Sequence, residues 1–533
     1  MLKIEFFKAR TLAPLFVIGC SFVFHIRFVK VITFVFFVGL VGVKADAITL
    51  PKVWPTRPSG APVEVVYPRE PDSTGKFPLR SGIDSTFLLG NVSDPVHTKL
   101  TINSHPVEVD SGGGWIAWLR CPSKHDDFIW HIQATTNLQV YKLEVPVGRF
   151  RSTPPLFIKN FPQPFWVTTK EGARMRNSPQ GKNILLPVVN TPLRIHAQID
   201  AAYGCHLPDG STAWVDTNRV SPIKLQPKLS TVKAVNVDFD GVKRESTIRF
   251  VAGAPTPFRV YWDSDTSRMR IELMLFKAFK DPATRIDTNS AVSSLHIISH
   301  GQGCYIDIVF KPNSWIIGYN FSSDENGLNL HLREAPPKSK PESMPLNGWN
   351  IVIDPGHGGT EYGAIGPTWL AEKNVNLEVA TRLTALLQKF GASVKQTRVT
   401  DTTISLPDRI GQAEEWGADV LLSVHQNALP DDENPWDSTG SAVFYYHPQS
   451  EGLAQALYLS LHQQLALPER GVYVGDFAIC RSQKQLAVLT ESTFIIRPDQ
   501  ERMLHSPAFL DKQAEAIANG IVLYCKNHPN RLQ

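Results

Sequence analysis

The hydrophobic pattern of this 533-residue chain changes once, across a proline-rich segment at residues 335–347. Before that segment, apolar residues recur at alternate positions in short runs that end at Pro, Gly, Asn or Asp, which is typical of β-strands. After it, apolar residues recur about every 3.6 positions in longer stretches separated by short apolar runs, which is typical of alternating helices and strands. We therefore expect all-β modules, an extended and solvated linker, and a C-terminal α/β domain at residues 348–533.

The region before the linker has room for several modules, because a chain of this length exceeds one hydrophobic core and suggests three or four domains at roughly 150 residues each. Residues 48–150 contain short strands separated by turns, which predicts a β-sandwich. Their FLLGNV and GWIAW sequences, at residues 87–92 and 114–118, resemble those of immunoglobulin-like modules. We therefore expect an Ig-like sandwich first.

A second module is predicted at residues 160–225. It carries an R-x-x-P sequence at residues 176–179 and ends with G-x-x-x-W-V at residues 210–215. These features resemble a bacterial SH3-like barrel. Such modules often contact cell-wall peptides, but a spacer with Trp214 in its core is an equal alternative.

The third β-rich region, residues 230–334, carries strand patterns at both ends, so we expect a closed sandwich or barrel. Its aromatic residues Trp315, Tyr319 and Phe321 stand singly at strand spacing. Isolated aromatics in strands usually pack inward, so we expect them in the core rather than stacked on sugars.

The first 47 residues have the composition of an export signal. Basic residues precede an apolar stretch at residues 31–43, and Ala-Asp-Ala at residues 45–47 fits a signal peptidase site. Thirteen apolar residues are too few to span a bilayer core of about 30 Å, although residues 11–26 form a second apolar stretch. The segment is thus a long signal peptide that is cleaved or stays as an anchor, or the true start lies near Val29. A lipoprotein-type acylation box at residues 17–20 is a third alternative.

Charge and cysteine content narrow the possible partners. The first 47 residues hold six of the 54 basic residues and two of the 50 acidic ones, so the remaining chain has 48 of each. This balance gives no electrostatic reason to expect nucleic acid as a partner. The spacing of the five later cysteines does not fit a sulfur-based metal site, and one or two disulfides with at least one free thiol are compatible with export. These cysteines are Cys121, Cys205, Cys304, Cys480 and Cys525.

The C-terminal domain is predicted to alternate strands and helices around a mostly parallel sheet. Apolar runs without helical spacing predict strands at residues 351–353, 394–397, 420–425, 441–446 and 486–489. Stretches with helical spacing predict helices at residues 374–390, 408–416, 453–465 and 512–524.

Four polar residues follow or end these strands and so are expected at one edge of the sheet, where functional groups of parallel sheets gather. They are His357 in a glycine-rich loop, Glu372 just before the first long helix, His425 at the end of a strand, and Glu491. Each alone is usually a surface or hydrogen-bonded residue. Two imidazoles and a carboxylate with an open fourth position are typical of a catalytic zinc, and the remaining polar group would serve as base. Glu491 lies between two apolar runs, where an unpaired charge is costly without a function.

The region from residue 349 to about 526 resembles the zinc-dependent N-acetylmuramoyl-L-alanine amidases of bacteria. The resemblance rests on five sequences in the family's order, namely DPGHGG at 354–359, EKNVNL at 372–377, TR at 397–398, SVHQNA at 423–428 and LTE at 489–491. It covers about a third of the chain.

This resemblance implies a specific chemistry. His357, Glu372 and His425 would bind Zn²⁺, and Glu491 would be the catalytic carboxylate. The enzyme would hydrolyse the amide between the lactyl group of N-acetylmuramic acid and L-alanine of the peptidoglycan stem peptide. We expect an exported monomer in the periplasm or cell envelope, with membrane contact only through an uncleaved anchor. The alternatives are an inactive peptidoglycan-binding protein and a zinc peptidase that acts on the stem peptide.

The chain departs from the family pattern near the ligands. Tyr362 stands where the family commonly has an acidic residue before Gly-Ala, and STFIIR at residues 492–497 replaces G-F-x-x-N. These positions would lie in the pocket wall, so they affect substrate preference more than metal binding. Some relatives carry a helical insertion that blocks the site after the second zinc histidine. Here residues 429–439 are too few for such a plug, so we expect none at this position.

Overall fold

The computed structural model describes residues 48–49, 58–150, 158–185, 187–207, 211–224, 230–251, 258–262, 267–274, 276–300, 303–324, 327–337 and 342–527. The predicted export segment, residues 1–47, lies outside them. Among the helices in these ranges, all are too short or too polar to cross a bilayer.

The first module has two sheets around one core. The larger sheet has the order β1-β9-β8-β5-β6 with β3 beside β9, and the smaller has the order β2-β4-β7. Trp115 from the smaller sheet and Trp130 and Val145 from the larger one are buried in a shared core, which is the architecture of a β-sandwich. The strands are β1 (Ile48–Thr49), β2 (Val63–Tyr67), β3 (Phe77–Arg80), β4 (Ser85–Val92), β5 (Lys99–Ile102), β6 (His105–Val107), β7 (Gly114–Arg120), β8 (Phe128–Thr135) and β9 (Val140–Phe150).

The second module is one sheet of seven strands in the order β12-β11-β15-β14-β13-β10-β16. It encloses a small core that includes Met175, Ile195 and Val215. Trp214 is buried against Ala197, so it is a core residue, as the spacer alternative requires. The strands are β10 (Lys159–Thr169), β11 (Met175–Arg176), β12 (Asn183–Leu185), β13 (Pro192–Ile199), β14 (Ala202–His206), β15 (Thr212–Asp216) and β16 (Val220–Ile223).

The third module is also built of two sheets, with the orders β21-β17-β18-β25-β24 and β19-β20-β23-β22. Tyr319 and Phe321 lie in its core, and Trp315 is buried in the core of the C-terminal domain, so the prediction of inward packing is confirmed. The strands are β17 (Ser230–Asp240), β18 (Glu245–Val251), β19 (Phe258–Trp262), β20 (Arg268–Met274), β21 (Phe276–Ile286), β22 (Val292–His300), β23 (Gly303–Phe310), β24 (Ile316–Asp324) and β25 (Gly327–Glu334).

The C-terminal domain is the predicted α/β domain. Its sheet has the order β27-β26-β28-β31-β29-β30, and only β29 and β31 form an antiparallel pair. The mostly parallel sheet is thus confirmed. Its elements are β26 (Asn350–Pro355), α1 (Glu372–Lys389), β27 (Ser393–Gln396), α2 (Leu406–Glu415), β28 (Val420–Asn427), β29 (Ala442–Tyr445), α3 (Glu451–Leu465), β30 (Gly471–Val474), β31 (Leu486–Phe494), α4 (Pro498–Leu504) and α5 (Pro507–Asn527).

Predicted element boundaries were wrong at three residues of the site. His425 does not end its strand, because β28 continues through Gln426 and Asn427. Glu372 does not precede the first helix but is its first residue, where a carboxylate is favoured by the helix dipole. Glu491 does not end a strand but lies inside β31, because the strand continues through Ser492 and Thr493. The side chains of Ser492 and Thr493 are buried, so their polarity did not mark the end of the strand. Strand β30 and helix α4 were not predicted.

The segment predicted as a solvated linker is partly packed. Leu346 is fully buried in the core of the α/β domain, and Pro336 is buried as well. Residues 338–341 lie outside the described part. The expectation of a solvated linker is therefore wrong for both ends of the segment.

All five cysteines from Cys121 to Cys525 are buried, and none of them forms a disulfide with another. The disulfides that the sequence left open are therefore absent among the described residues.

Two modules pack directly on the α/β domain. The outer face of the β2-β4-β7 sheet contributes Phe87, Leu89 and Ile116 to the same core as the α/β domain. The third module docks through arginines, because Arg244 and Arg333 both bind the fully buried carboxylate of Asp419, at 2.7 and 2.8 Å. The first module therefore extends the hydrophobic core of the α/β domain, and the third module supplies the counter-charges of Asp419.

The Asp419 cluster predicts a large effect of a conservative change. Asp419→Asn should lower the free energy of unfolding by about 3–5 kcal/mol, because it leaves two partly buried guanidinium groups without their counter-charge. Thermal and urea unfolding of the full chain measure this effect. Asp307→Asn is the matched control, since Asp307 pairs with Arg270 at the surface of the third module. Such surface pairs contribute about 1 kcal/mol or less to stability. Equal effects of the two changes would contradict the prediction.

Candidate metal centre and active site

The loop after β26 presents His357 in a conformation that side-chain-bearing residues seldom adopt. His357 has a φ of 62°, in the left-handed region, which costs roughly 1–2 kcal/mol for a residue other than glycine. Its carbonyl oxygen accepts a hydrogen bond from Arg409 Nη2 at 2.7 Å. The loop is thus held by contacts that outweigh the local strain.

Two arginines hold the backbone of this loop through hydrogen bonds to its carbonyl oxygens. Arg409 donates to the carbonyl oxygen of Pro355 at 2.9 Å, and Arg398 donates to the carbonyl oxygens of Pro355 and Gly356, each at 3.0 Å. Arg409 also pairs with the buried carboxylate of Asp354 at 2.7 Å. These contacts engage the backbone carbonyl groups of the loop, and the His357 ring contacts Glu372 instead.

Glu372 is the most constrained member of the site. Its Oε1 accepts hydrogen bonds from the amide of Gln426 at 3.1 Å and from Asn376 Nδ2 at 3.2 Å, and its Oε2 accepts one from the amide of Ala364 at 2.8 Å. Burial opposes the charged form, but the hydrogen bonds from His357 and His425 outweigh it and hold the pKa of Glu372 well below its usual range. The carboxylate is therefore ionised and oriented.

The two histidines meet at this carboxylate. His425 Nδ1 lies 2.8 Å from Glu372 Oε1, and His357 Nε2 lies 3.2 Å from Glu372 Oε2. The rings stand nearly perpendicular, with centroids 4.9 Å apart. Burial lowers the pKa of His357, but Glu372 has the larger effect and the net pKa is raised.

The donor set fits a transition metal. One ligand atom from each of His357, Glu372 and His425 lies within 4.8 Å of the others. Two imidazoles and one carboxylate are the ligands of a catalytic Zn²⁺ that keeps a further position for substrate or water. The backbone and Asn376 hydrogen bonds to Glu372 are the outer contacts that such a site requires. The predicted ligands are therefore brought together.

Glu491 lies beside this cluster. It is paired with His425 on the neighbouring parallel strand, and its Oε2 is buried without a hydrogen-bond partner among the described residues. Burial, reinforced by the charge of Glu372, raises the pKa of Glu491 well above its ordinary value. The fourth predicted residue thus has an oxygen that is not engaged by the protein.

Sequence reasoning missed the residues that hold the ligands. Asp354 and Arg398 were recognised only as parts of family motifs, and Arg409 was not singled out. A charged residue on the inner face of the helix at 406–415 was the available signal, since Arg409 is almost fully buried and buried charges need partners.

The segment between His357 and Glu372 is held by two carboxylates from elsewhere. Glu501 accepts hydrogen bonds from the amides of Thr368 at 2.9 Å and Leu370 at 3.4 Å. Glu64, on β2 of the sandwich module, accepts one from the indole of Trp369 at 2.6 Å. Trp369 itself has a φ of 69°. The approach to Glu372 therefore depends on contacts from α4 and from another module.

The turns after β28 also contact the sandwich module. Residues 428–441, all within the described part, form turns without a helix. Tyr67 of the sandwich module donates a hydrogen bond to Asp431 in this turn, and Arg497 stacks on Trp436 with 4.9 Å between the guanidinium carbon and the ring centroid.

Comparison with known proteins identifies relatives of the C-terminal half. The family described as N-acetylmuramoyl-L-alanine amidase matches residues 351–522. The chain is 30% identical over 270 residues to "Probable cell wall amidase LytH" of Staphylococcus epidermidis, a match that covers 49% of this chain and 86% of the relative. It is 31% identical over 248 residues to the protein of the same name from Staphylococcus aureus, with coverage of 45% and 80%.

Among solved structures, the N-acetylmuramoyl-L-alanine amidase of Clostridium difficile 630 is 31% identical, with a TM-score of 0.33. The match covers 34% of this chain and 98% of that one.

Gly363 provides a test of the metal centre. A methyl group at this position would overlap Glu372 Oε2 and His357 Cδ2, and its φ of 70° is unfavourable for alanine. Gly363→Ala should therefore weaken Zn²⁺ binding by about 10- to 100-fold, the range seen when contacts behind metal ligands are lost. Competition with a fluorescent chelator measures this affinity.

Gly411 is the control for that change. It lies in α2, away from the site, and a methyl group added there would meet open space. Gly411→Ala should therefore leave the affinity unchanged and raise stability by up to about 1 kcal/mol. Unchanged Zn²⁺ affinity of Gly363→Ala would show that these residues do not form the metal centre.

The buried carboxyl group of Glu501 makes the stability of the folded protein depend on pH. Burial raises the pKa of Glu501 to about 7, although hydrogen bonds from Thr368 and Leu370 oppose the shift. The folded protein therefore binds this proton more tightly than the unfolded chain, so the stability from this group is fully present below its ordinary pKa of 4.5 and is lost as the pH rises to about 7.

The effect should be on the order of 3 kcal/mol, at about 1.4 kcal/mol for each pKa unit. Glu501→Gln should flatten the pH dependence of the unfolding midpoint between pH 4.5 and about 7. Glu378→Gln, at an exposed position of α1, should keep the wild-type dependence. A wild-type slope in Glu501→Gln would refute the assignment.

Proposed function

Because the chain belongs to the N-acetylmuramoyl-L-alanine amidase family through its C-terminal domain, a family of cell-wall amidases, we propose that it is a zinc-dependent hydrolase of peptidoglycan. The bond cleaved is the amide between the lactyl group of N-acetylmuramic acid and L-alanine of the stem peptide. The observation that carries this proposal is the convergence of His357, Glu372 and His425 beside an unengaged oxygen of Glu491.

The residues of the metal centre have distinct roles in this proposal. His357 and His425 act as neutral nitrogen donors, and Glu372 supplies the negative charge and is kept in place by the amides of Ala364 and Gln426. When bound, Zn²⁺ supplies a Lewis acid that polarises the scissile carbonyl and lowers the pKa of water.

Glu491 handles the protons. Its Oε2 accepts the proton of the attacking water and returns it to the nitrogen of the departing alanine, so that one group serves as base and then as acid. The neighbouring strands β28 and β31 hold His425 and Glu491 side by side. The carboxylate is therefore kept next to the metal centre without being one of its ligands.

The remaining expectations from the sequence are part of the same proposal. The enzyme acts as a monomer outside the cytoplasm, in the periplasm or cell envelope, as similarity to cell-wall amidases suggests. The Ig-like, SH3-like and third β-rich modules are accessory domains of the catalytic domain. Membrane contact is limited to the N-terminal segment if it stays uncleaved.

Replacement of Glu491 tests the activity. Glu491→Gln should lower peptide release from purified sacculi by about 10²- to 10⁴-fold, the usual contribution of a general acid–base group, while Zn²⁺ content stays at the wild-type level. Elemental analysis measures the metal, and mass spectrometry of the released material should show stem peptides with a free N-terminal alanine. Glu378→Gln, an exposed change on α1, should remain fully active.

Metal removal completes the test. A chelator should abolish release by the wild-type enzyme, and added Zn²⁺ should restore it. Binding to sacculi without any release by the zinc-loaded wild type would favour the inactive binding protein instead. Release of fragments cut inside the stem peptide would favour the zinc peptidase.

A further inference from the structure

Arg69 of the sandwich module contacts Tyr362, which lies in the segment between His357 and Glu372. Its guanidinium carbon is 5.4 Å from the ring centroid of Tyr362, and Tyr362 is 44% exposed. Among the described residues, the Arg69 side chain has no carboxylate within ion-pair distance. A cation from another module thus faces the segment that leads from His357 to Glu372.

Tyr362 is tied directly to the metal centre. Its carbonyl oxygen accepts a hydrogen bond from the amide of Lys373 at 3.1 Å, the residue after Glu372. The next residue, Gly363, packs so closely on Glu372 and His357 that a methyl group would overlap both. Tyr362 is therefore adjacent to a backbone position that contacts two of the proposed ligands.

Arg69 differs from the other cation near this ring because its side chain forms no ion pair with any residue that the structure describes. Lys373 Nζ lies 4.2 Å from the ring centroid, but it is paired with Asp401 at 2.7 Å and with the carbonyl oxygen of Gly359 at 2.7 Å. Tyr362 stands where the family that this chain resembles commonly has an acidic residue, so this position adds no negative charge beside Arg69.

The position of Arg69 is fixed by hydrogen bonds from residues that precede it in the chain and from the adjoining strand. Glu64 accepts a hydrogen bond from the indole of Trp369 at 2.6 Å, and Tyr67 donates one to Asp431 in the turns after β28. Asn91, on β4, donates to the carbonyl oxygen of Pro367 at 3.0 Å. Docking of the sandwich module therefore orders the segment that carries Arg69.

We propose that Arg69, with the Tyr362 ring as its platform, forms a subsite that binds a carboxylate of the stem peptide. The planar guanidinium group matches the geometry of a carboxylate, and the aromatic ring beneath it stabilises the cation. The departing peptide carries free carboxylates, on its second residue and at its C-terminus, that such a group would bind. The inference rests on the proposed amidase function and adds a substrate-recognition role for the first module.

Three synthetic muramoyl peptides test this subsite. One has both carboxyl groups free, one is amidated on the second residue, and one is amidated at the C-terminus. With the full-length, zinc-loaded protein, Arg69→Ala should raise KM for the free peptide about tenfold, as expected for loss of a charge-assisted hydrogen bond, with kcat nearly unchanged. Arg69→Lys should give an intermediate KM, because the positive charge remains but the planar guanidinium group that matches a carboxylate is lost.

Arg80→Ala is the matched control. Arg80 lies in the same module and pairs with Asp432 of the α/β domain at 3.0 Å, away from Tyr362. Arg80→Ala should leave the kinetics of all three peptides unchanged. Arg69→Ala and Arg80→Ala should both unfold at the wild-type temperature.

The two amidated peptides identify the carboxylate. The carboxylate whose amidation removes the effect of Arg69→Ala is the group that Arg69 binds, and either result supports the subsite. An equal loss on all three peptides, or no loss on any, would overturn it while leaving the amidase function intact. Failure of the wild type to cleave any of them would overturn the proposed function and the subsite with it.

Discussion

The buried ion pair between Asp354 and Arg409 determines the position of His357, the first of the proposed metal ligands. Asp354 lies near the end of β26 and accepts further hydrogen bonds from Thr397 and Ser423, so its charge is fully compensated. Arg409 extends from this carboxylate to the carbonyl oxygens of Pro355 and His357. The strained backbone at His357 is therefore supported by a charge pair that a hydrophobic core could not replace, because the carbonyl groups need donors.

The site is also completed from outside the α/β domain. The sandwich module supplies Glu64 to Trp369 and apolar residues of β4 and β7 to the shared core. The segment before Glu372 is thus packed between two modules rather than left as a surface loop. This arrangement explains why a segment with two residues in the left-handed region, His357 and Trp369, keeps a defined path.

The sequence allowed prediction of most of the α/β domain and of the four site residues, because long helical periods and buried strands are local patterns. What it could not reveal depends on tertiary contacts. Strand β31 continues past Glu491 because its polar residues are buried by neighbouring elements, and the linker is partly packed because Leu346 fits a core formed by distant residues. The support from Arg409 and the contacts of Glu64, Tyr67 and Arg69 join residues far apart in the chain, and no local pattern marks such pairs.

The pairing of His425 with Glu491 has a consequence for how this domain can vary. Their separation is that of adjacent strands in a sheet, about 4.8 Å between backbones, and it is maintained by the hydrogen bonds of the ladder. A slip of one residue would turn one of the two side chains to the other face of the sheet, so intermediate spacings do not exist. Substrate range can thus diverge through residues such as Tyr362 and through attached modules, while the distance between His425 and Glu491 is set by the pairing of β28 with β31.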